Sequence, residues 1–371
     1  MAHKLMIPGP VDIDEEILVE MRSPAMPHYG DAWVRIYTET VQGLKRLFHT
    51  QNDLFLLVGP GSAALEAAMG SAVGPEDRIL IPSNGFFGGR LREVASALRL
   101  DVVPLDVAWG QPLDPDAIRS LLRKDGCIRA VAVVHHETST GVLNPLQEIA
   151  RAVKEEGRLL IVDAVSSLGG LPLPVDDWKV DLCVTVSNKC LEAPPGLAPI
   201  SVSEAAWQAI EANVAHSRSW FLNLATWRRY LREWGSWHPT PTTMPTQVVL
   251  ALHRSVQRLV GEGDEARFAR HRAAAEAVRQ GIRALGLRTF IPDEIASPLV
   301  TVIAGREGAP ADGLRRYLLA KHDILVAGGL EDLAGRIVRV GHMGRATSRE
   351  YVEAFLAGVR GWVEAGCPES V

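Results

Sequence analysis

The sequence predicts an α/β protein in which a mainly parallel sheet is covered by helices on both faces. Within residues 1–200, short apolar runs of strand length alternate with stretches of helical character. Most of these runs are apolar throughout rather than at every second residue, which is typical of strands buried on both faces of a parallel sheet. The chain has 371 residues, long enough for about two domains.

The elements of this first region follow one another in a regular order. The candidate strands, in chain order, are Leu54–Val58, Arg78–Ile81, Val102–Leu105, Ala130–Val134, Arg158–Val162 and Leu182–Val186. Helices are predicted between most of them, at 62–72, 88–98, 114–124 and 145–156. Before the first strand, apolar residues from Trp33 to Phe48 recur at the three-to-four-residue spacing of an amphipathic helix.

The remainder of the chain has a different character. Residues 204–245 are rich in Trp, Arg and Pro and show no clear period, and a long helical stretch at 246–284 follows, with a break near Gly261–Gly263. Apolar runs and helices then alternate again, at Leu299–Ile303, 311–321, Ile324–Val326, Ile337–Val340 and from residue 348. We therefore predict a large domain over residues 1–250 and a smaller α+β domain over residues 251–371.

Composition excludes several classes of protein. Apolar residues make up 47% of the chain, charged residues make up 22%, and the formal net charge is −5, all typical of a soluble globular protein. This mildly acidic balance argues against a nucleic-acid or membrane-surface partner, and no apolar run approaches the ~20 residues of a membrane-spanning helix. The four cysteines show neither disulfide nor metal-binding spacing, and no secretory signal is visible, so we expect a cytoplasmic protein without a metal.

The turn Gly59-Pro60-Gly61-Ser62-Ala63-Ala64 follows a candidate strand and opens a helix. Backbone N–H groups at the start of a helix, together with the helix dipole, bind phosphate well. The spacing also resembles a dinucleotide-binding turn, which requires an acidic residue at the end of the next strand. That strand ends Ile81-Pro82-Ser83-Asn84 and carries no acid. Two interpretations stay open, an ordinary glycine-rich turn and a phosphate site for a cofactor that is not a dinucleotide.

Two charged residues, Asp163 and Lys189, follow candidate strands of the same sheet. A carboxylate directly after a buried strand is unfavourable without a partner, so Asp163 is either a capping or salt-bridge residue or the partner of a protonated heteroaromatic nitrogen. Only seven lysines occur, and Lys189 alone closes an apolar strand. A lysine in a partly desolvated site can lose its charge and form a Schiff base. The order of phosphate turn, Asp163 and Lys189 along the sheet favours a functional role for all three.

Three further features are less specific. Phe87, on a glycine-rich loop, either caps the core or stacks on a flat cofactor ring. His135 and His136 are adjacent, so they point to opposite faces of a strand and are poorly placed to share a metal ion. Arg339, on the predicted strand Ile337–Val340, is either a surface residue or a two-pronged clamp for a substrate carboxylate.

Taken together, these motifs resemble the class V family of fold-type I aminotransferases, which depend on pyridoxal 5′-phosphate. The resemblance extends from Pro8-Gly9-Pro10 to the segment Arg339–Gly344. Its strongest blocks are GPGSAALEAAMGSAVGPED (59–77), HHETSTGVLNPL (135–146), VDAVSSLGGLPL (162–173) and SNKCLEAPPGLAPISVS (187–203). It implies a fold-type I architecture, with a mainly parallel seven-stranded sheet in the large domain and a smaller C-terminal α+β domain.

The resemblance also implies roles for individual residues. It assigns the cofactor phosphate to Gly61, Ser62 and Ala63, stacking on the ring to Phe87, the neighbourhood of the phenolic oxygen to Ser139, and the pyridine nitrogen to Asp163. It implies that Val165 packs against the ring, that Lys189 forms the internal aldimine, and that Asn188 matches the Gln or Asn that precedes this lysine in relatives. It further implies that Thr243 contacts the phosphate of the neighbouring subunit's cofactor. Arg339 would bind the substrate carboxylate, and Gly9 would belong to a turn that closes over the substrate. Phe87 and Thr240 depart mildly from the pattern, because relatives often carry Trp or Tyr at the first position and some carry Tyr at the second.

The implied activity is transamination from a small amino acid, alanine or serine, to a 2-oxo acid, glyoxylate or pyruvate, through a Lys189 aldimine. The alternative is a 2-aminoethylphosphonate–pyruvate aminotransferase or a transaminase of another small amine. Segments 187–191, 216–219 and 293–298 look more like those enzymes. A phosphonate donor carries about two negative charges and needs a cationic pocket beyond Arg339. Candidates for that pocket are Arg90, His28 and His342.

The Trp- and Pro-rich segment 220–245 predicts a homodimer. It carries more apolar aromatic surface than a loop normally leaves exposed to water, and such patches mark interfaces. We expect the active site to lie at that interface, with Thr243 as the contact between subunits.

Overall fold

The predicted α/β architecture is confirmed by a computed structural model that describes residues 3–217, 219–305 and 311–369. The strands of these residues are β1 (Lys4–Leu5), β2 (Asp53–Val58), β3 (Arg78–Ser83), β4 (Asp101–Asp106), β5 (Ile128–Val134), β6 (His136–Glu137), β7 (Val142–Leu143), β8 (Leu159–Asp163), β9 (Leu182–Val184), β10 (Leu197–Val202), β11 (Arg288–Thr289), β12 (Val300–Ala304), β13 (Ile324–Leu325), β14 (Ala327–Gly328) and β15 (Ile337–Gly341).

The helices lie largely where the apolar spacing predicts them. They are α1 (Glu15–Leu18), α2 (Asp31–Phe48), α3 (Gly61–Ala72), α4 (Phe86–Ala97), α5 (Pro115–Lys124), α6 (Leu146–Glu155), α7 (Glu204–Asn213), α8 (Leu224–Trp234), α9 (Thr246–Glu262), α10 (Asp264–Ala284), α11 (Ala311–His322) and α12 (Arg349–Glu364). Local capping begins several of them, since Asp114, Ser203 and Ser348 each accept a hydrogen bond from a backbone N–H in the first turn of α5, α7 and α12. None of the described helices combines the length and hydropathy needed to cross a bilayer.

Seven strands form the central sheet, in the order β2-β10-β9-β8-β5-β3-β4. Strands β9, β8, β5, β3 and β4 pair in parallel, and β10 pairs antiparallel with both β2 and β9. Six of the seven strands therefore run in one direction. Their carboxyl ends meet at one edge of the sheet, which is where an open α/β sheet places its ligands.

The strand β10 is absent from the six candidate strands of the sequence, because Pro199 lies in its middle. Proline donates no ladder hydrogen bond and normally argues against a central strand. In the structure Pro199 pairs with Leu56 of β2, and its carbonyl oxygen accepts a hydrogen bond from Thr185 N at 3.0 Å. Every residue of β10 is buried, so apolar packing compensates for the missing donor.

A smaller unit forms around a second apolar core. Its four-stranded antiparallel sheet has the order β11-β12-β15-β14, and α10, α11 and α12 pack against this core. The N-terminal strand β1 belongs here too, since it pairs in parallel with β13 and Met6 lies in the second core.

The boundary between the two predicted domains, residues 250 and 251, falls inside helix α9. Leu252, Val256 and Leu259 of this helix pack into the core of the large sheet. The first core residues of the smaller unit within α10 are Ala274 and Val278. By packing, the large unit continues to the end of α9 at Glu262, twelve residues beyond residue 250.

An aromatic patch lies on the surface of the large unit. It consists of Tyr29, Trp220, Tyr230, Trp234 and Trp237, whose neighbouring ring centroids are 5.3 to 6.2 Å apart. Trp220, Trp234 and Trp237 are about half exposed. Large aromatic side chains in such a continuous exposed group are unusual for a protein surface that contacts only water.

Candidate active site

A cavity of about 580 Å³ opens where β2, β5, β8 and β9 end. It is lined by Gly59, Pro60, Gly61, Ser62, Leu65, Phe87, Arg90, Leu91, Val94, Val134, His136, Asp163, Val165, Ser166, Val186, Asn188, Lys189, Pro195 and Gly196. The residues singled out in the sequence at the phosphate turn, at the end of β8 and after β9 thus lie around one space. The turn at Gly61 lies 102 residues before Asp163, and Lys189 follows Asp163 by 26 residues, yet the parallel sheet brings the three together.

The phosphate turn forms the N-terminus of helix α3. Gly59 has φ +141°, a conformation that favours glycine, and its N–H donates to Gly196 O at 2.9 Å. Helix α3 begins at Gly61, and the first N–H groups of a helix have no intrahelical acceptor. A Cβ on Gly61 would lie 2.6 Å from Val165 Cγ2, so glycine is needed for this close approach. The turn can therefore receive an anion directly beside the apolar wall at Val165.

Asp163 is the last residue of β8 and is 8% exposed. One carboxylate oxygen accepts a hydrogen bond from Val165 N at 2.9 Å. No cation of the described residues lies within 4 Å of it. Burial raises the pKa of Asp163 to about 6, and the negative charge of Glu137 adds to this rise, whereas Val165 N–H and Lys189 oppose it. The carboxyl group is buried, only partly satisfied and directed at the cavity.

Lys189 follows β9 and lines the same cavity. Its Nζ donates to the carbonyl oxygen of Pro8, in the N-terminal segment. Burial lowers the pKa of Lys189 to about 8, and the positive charge of Arg339 lowers it further, while Asp163 opposes the change. A substantial fraction of this side chain is therefore a neutral, nucleophilic amine near pH 8.

Gly9 covers the lysine. It has φ +123°, and a Cβ at this position would lie 2.5 Å from the Cδ and Cε atoms of Lys189. The segment is fixed over the lysine by Val11 N–H, which donates to Asn188 O at 3.2 Å. The sequence prediction that Gly9 belongs to a turn at the substrate side of the site stays a prediction, and this placement is compatible with it.

Arg339 is buried at 7% exposure on β15 of the smaller unit. Its Nε donates to Gly328 O at 2.7 Å, and its Nη1 donates to Thr138 O at 3.2 Å. Within the described parts of the chain it forms no ion pair. Burial lowers the pKa of Arg339, and Glu137 opposes this change. A guanidinium that is fixed by carbonyl groups and lacks a carboxylate is suited to bind one from a ligand.

Glu137 is a functional residue that the sequence reasoning missed. Its buried carboxylate accepts hydrogen bonds from the backbone N–H groups of Phe87 and Gly88 and from both N–H and Oγ of Ser139. Ser139 Oγ in turn accepts from Phe86 N at 3.1 Å. The Glu137–Ser139 pair therefore caps helix α4, whose own N-cap residue is Gly85 and has no side chain. The sequence offered only a weak signal, an acid three residues after the end of β5, and the carboxylate binds the backbone N–H of Phe87.

Two other residues line the cavity, Arg90 and His136. From the sequence, Arg90 was only a candidate for a phosphonate pocket, and His136 was only a poorly placed metal ligand. The Arg90 guanidinium carbon lies 4.8 Å and 5.2 Å from the ring centroids of Phe86 and Phe87. Burial lowers the pKa of His136 to about 3, so the imidazole is neutral, and its Nδ1 lies 3.4 Å from Ser166 O. The described residues contain no group of His, Cys, Asp and Glu side chains arranged to hold a metal ion.

Three predicted cofactor residues stand outside the lining of this cavity. Ala63 is half-buried within α3, and its N–H donates to Pro60 O at 3.0 Å. Ser139 is fully buried behind the cavity with Glu137, and Thr243 is exposed. The role of Thr243 involves a neighbouring subunit and stays a prediction, as do the roles of Ala63 and Ser139. In segment 216–219, residue 218 lies outside the described residues.

The donor groups around the cavity fit pyridoxal phosphate. The N-terminus of α3 suits its phosphate, the Asp163 carboxyl suits a pyridine nitrogen, and the Lys189 amine suits an aldehyde. Phe87 and Val165 supply apolar surface for the ring. The Asp163 carboxyl, the Lys189 amine and the N-terminus of α3, none of which has a charged partner among the described residues, each match one group of this single small molecule.

Comparison with known proteins gives the same indication. The family profile "Aminotransferase class-V" matches residues 20–331. The chain is 36% identical over 375 residues to the (S)-ureidoglycine–glyoxylate transaminase of Bacillus subtilis, which covers 96% of this chain and 89% of that protein. It is 34% identical to the 2-aminoethylphosphonate–pyruvate transaminase of Salmonella heidelberg, over 82% of this chain and 83% of that protein. The crystal structure of an alanine–glyoxylate aminotransferase from Nostoc sp. superposes with a TM-score of 0.93 at 30% identity, over 98% of this chain and 96% of that one.

The lowered pKa of Lys189 predicts where and how pyridoxal phosphate attaches. We expect borohydride reduction of the loaded protein to leave a pyridoxyl group on the peptide that contains Lys189, detected by mass spectrometry after digestion. When cofactor-free protein is labelled briefly at a series of pH values, the yield should rise with a midpoint near 8, because only the neutral amine reacts.

Lys154 is the matched internal control, since its Nζ is paired with Asp181 at 2.5 Å. Its peptide should remain unlabelled under the same conditions. A pyridoxyl group found mainly on another lysine, or a midpoint near the ordinary 10.5 of lysine, would contradict the prediction.

Proposed function

Because this chain belongs to the class V aminotransferases, which depend on pyridoxal 5′-phosphate, we propose that it transfers the amino group of alanine or serine to glyoxylate or pyruvate. The observation that carries this proposal is the set of charges at the cavity. A buried amine, Lys189, and a buried carboxyl group, Asp163, line the cavity, and a buried guanidinium, Arg339, lies near enough for its charge to lower the pKa of Lys189. Among the described residues, Arg339 has no carboxylate partner.

The chemistry divides between the cofactor and the chain. Pyridoxal phosphate, when bound, supplies an aldehyde that accepts the amino group and a ring that takes up electrons from the α-carbon. The proposed role of Asp163 is to stand as a carboxylate beside the ring nitrogen and keep that nitrogen protonated. The N–H groups at Gly61 and Ser62 are proposed to hold the phosphate, and Phe87 to pack against the ring.

Lys189 is proposed to act twice, first as the attachment point of the cofactor and then as a general base. Once an amino donor has replaced it, its free Nζ removes the proton from the α-carbon of the donor. An amine whose pKa is lowered to about 8 suits this role, because it is neutral often enough to accept a proton and basic enough to hold it. The same Nζ returns a proton to the α-carbon when the 2-oxo acid is aminated.

Arg339 is proposed to fix the carboxylate of each substrate, so that the α-carbon faces Lys189. It is shared by donor and acceptor, because both carry a carboxylate next to the reacting carbon. Its carbonyl partners, Gly328 O and Thr138 O, leave the outer side of the guanidinium for a bidentate contact. The acceptors follow the names of the relatives above, which specify glyoxylate or pyruvate.

The alternative donor is 2-aminoethylphosphonate, which needs a further cationic pocket. Of the three candidate cations, His342 is fully buried and burial lowers its pKa to about 3, so it is neutral. His28 packs against Tyr29 and His238 and does not line the cavity. Arg90 alone remains at the cavity. A single cation is a poor match for a phosphonate group, which carries about two negative charges, and we therefore favour the small amino acids.

A half-reaction screen tests the choice of donor. Protein loaded with pyridoxal phosphate is mixed with alanine, serine or 2-aminoethylphosphonate, without a 2-oxo acid, and the loss of the cofactor's absorbance is followed. We expect alanine or serine to react at least about tenfold faster than the phosphonate, a difference of about 1.4 kcal/mol in barrier height. Rapid reaction with the phosphonate while alanine and serine are inert would establish the alternative.

The proposed clamp predicts the kinetics of an Arg339→Ala variant. Loss of one partner of a buried, hydrogen-bonded charge pair typically costs about 2–5 kcal/mol, so KM should rise on the order of 100-fold for the donor and for the 2-oxo acid alike. Arg339→Lys should recover only part of this loss, because an ammonium group lacks the two-pronged geometry.

Arg336→Ala is the matched control, since Arg336 lies three residues earlier and is exposed. Its KM values should stay within about twofold of the parent protein, as for most exposed substitutions. An Arg339→Ala protein with an unchanged KM for the 2-oxo acid would refute the clamp.

We further propose that the protein is a homodimer with the aromatic patch at the interface between subunits. The patch joins α8 to the N-terminal residue Tyr29, and the exposed Thr243 follows it in the chain. A second copy would remove these half-exposed rings from water, which is favourable by about 25 cal/mol per Å² of apolar surface. It would also place Thr243 within reach of the other subunit.

Sedimentation tests the dimer. The chain mass is 40.3 kDa, and we expect the active protein to sediment at about twice that mass. Trp234→Glu, which places a charge in the patch, should shift the equilibrium toward the monomer, whereas Glu233→Gln beside it should not. A fully active species of 40.3 kDa would contradict the proposal.

A further inference from the structure

The turn that carries Lys189 ends in a glutamate with an unusual backbone conformation. Glu192 has φ +54°, in the left-handed region that residues other than glycine seldom occupy. Its N–H donates to the carbonyl oxygen of Lys189 at 2.9 Å, which closes the turn directly behind the lysine. The position of the Lys189 backbone therefore depends on residue 192 keeping this conformation.

Two arginines hold the Glu192 carboxylate in the interior. The side chain is 3% exposed, and its oxygens accept hydrogen bonds from Arg270 Nη2 at 2.5 Å and from Arg258 Nη2. Burial by itself would lower the pKa of Arg270, yet the carboxylates of Glu192 and Glu262 raise it overall, so this guanidinium stays charged. A buried carboxylate that is bound on both oxygens is fixed in position.

The two arginines belong to different parts of the molecule. Arg258 lies on α9, whose apolar face packs into the core of the large sheet. Arg270 lies on α10, whose apolar face packs into the second core. Glu192 therefore joins the Lys189 turn to both units at once.

Arg258 also reaches the N-terminal segment that covers Lys189. Its Nη1 is paired with Asp14, at the end of that segment. Three residues earlier, Val11 N–H donates to Asn188 O at 3.2 Å, beside the lysine. The covering segment 8–14 and the turn 187–192 are thus bound to the same half-buried guanidinium.

We propose that Glu192 is a positioning residue, which fixes the Lys189 turn against the N-terminal segment through Arg258 and Arg270. The Lys189 amine is thereby held beside the donor's α-carbon while the N-terminal segment covers it. The proposal rests on the function proposed above for Lys189. Glycine readily adopts the backbone conformation of residue 192, so a glycine variant keeps the turn and removes only the carboxylate. Loss of the carboxylate charge loosens both segments together, because they share Arg258.

Hydrogen exchange on the pyridoxal-phosphate-loaded protein tests the coupling without reference to activity. In Glu192→Gln, which keeps the side-chain shape and removes the charge, we expect exchange in peptides 6–14 and 187–193 to accelerate at least tenfold. Exchange in the central strand peptide 128–134 should not change. Glu353→Gln is the matched control, since it removes an exposed ion pair with Arg349 on α12 and should alter none of the three peptides.

Steady-state kinetics tests the consequence for Lys189. We expect kcat of Glu192→Gln to fall at least tenfold while KM for the 2-oxo acid stays within twofold, because Arg339 is untouched. Glu192→Gly, which suits the left-handed backbone but lacks the carboxylate, should behave like Glu192→Gln.

Three results would overturn the proposal. They are unchanged exchange in both segments of Glu192→Gln, full kcat in Glu192→Gly, and accelerated exchange throughout the chain, which would make the role one of global stability. If the chain transaminates none of the donors, the function proposed above fails, and the exchange measurement still decides whether Glu192 couples the two segments.

Discussion

The common direction of six strands in the central sheet is the constraint on which the rest of the molecule depends. Parallel strands need a crossover between them, so helices cover both faces and all carboxyl ends emerge at one edge. The phosphate turn, Asp163 and Lys189 lie at or after the ends of three different strands, and this topology brings them to one cavity. Antiparallel hairpins would have sent alternate loops to the opposite edge.

This arrangement places charges where the chain alone does not balance them. The pKa of Asp163 is raised from 3.8 to about 6, so the stability of the fold associated with its neutral form is complete below pH 3.8 and is lost as the pH rises through 6. At neutral pH, the ionised Asp163 carboxyl group lowers the free energy of unfolding by about 3 kcal/mol, at 1.36 kcal/mol per pKa unit. Lys189, with its lowered pKa, is disfavoured in its charged form in the same way. Asp163 and Lys189 therefore contrast with Glu192, whose buried carboxylate is paired with two arginines.

The sequence predicted those parts of the site that end strands, because a charge after an apolar run is visible without knowledge of partners. Asp163 and Lys189 stand out in this way, and the glycine-rich turn has its own signature. Glu137 did not stand out, since its meaning depends on two backbone N–H groups of α4 that lie 50 residues away in the chain. The strand β10 was hidden by Pro199, and the end of the large unit was hidden because the predicted helical stretch 246–284 does not show which core each of its turns packs against. What the sequence could not supply in each case was the identity of a distant partner.

The unbalanced carboxyl group and amine also connect the amount of folded protein to the supply of pyridoxal phosphate. A small molecule that binds the native chain and ignores the unfolded one shifts the folding equilibrium by mass action. Above its dissociation constant, each tenfold increase in free pyridoxal phosphate adds about 1.4 kcal/mol to the free energy of unfolding. In a cell short of this compound, newly made chains would therefore unfold more often and be degraded faster by proteases. The amount of enzyme, and not only its activity, would then depend on the supply of pyridoxal phosphate.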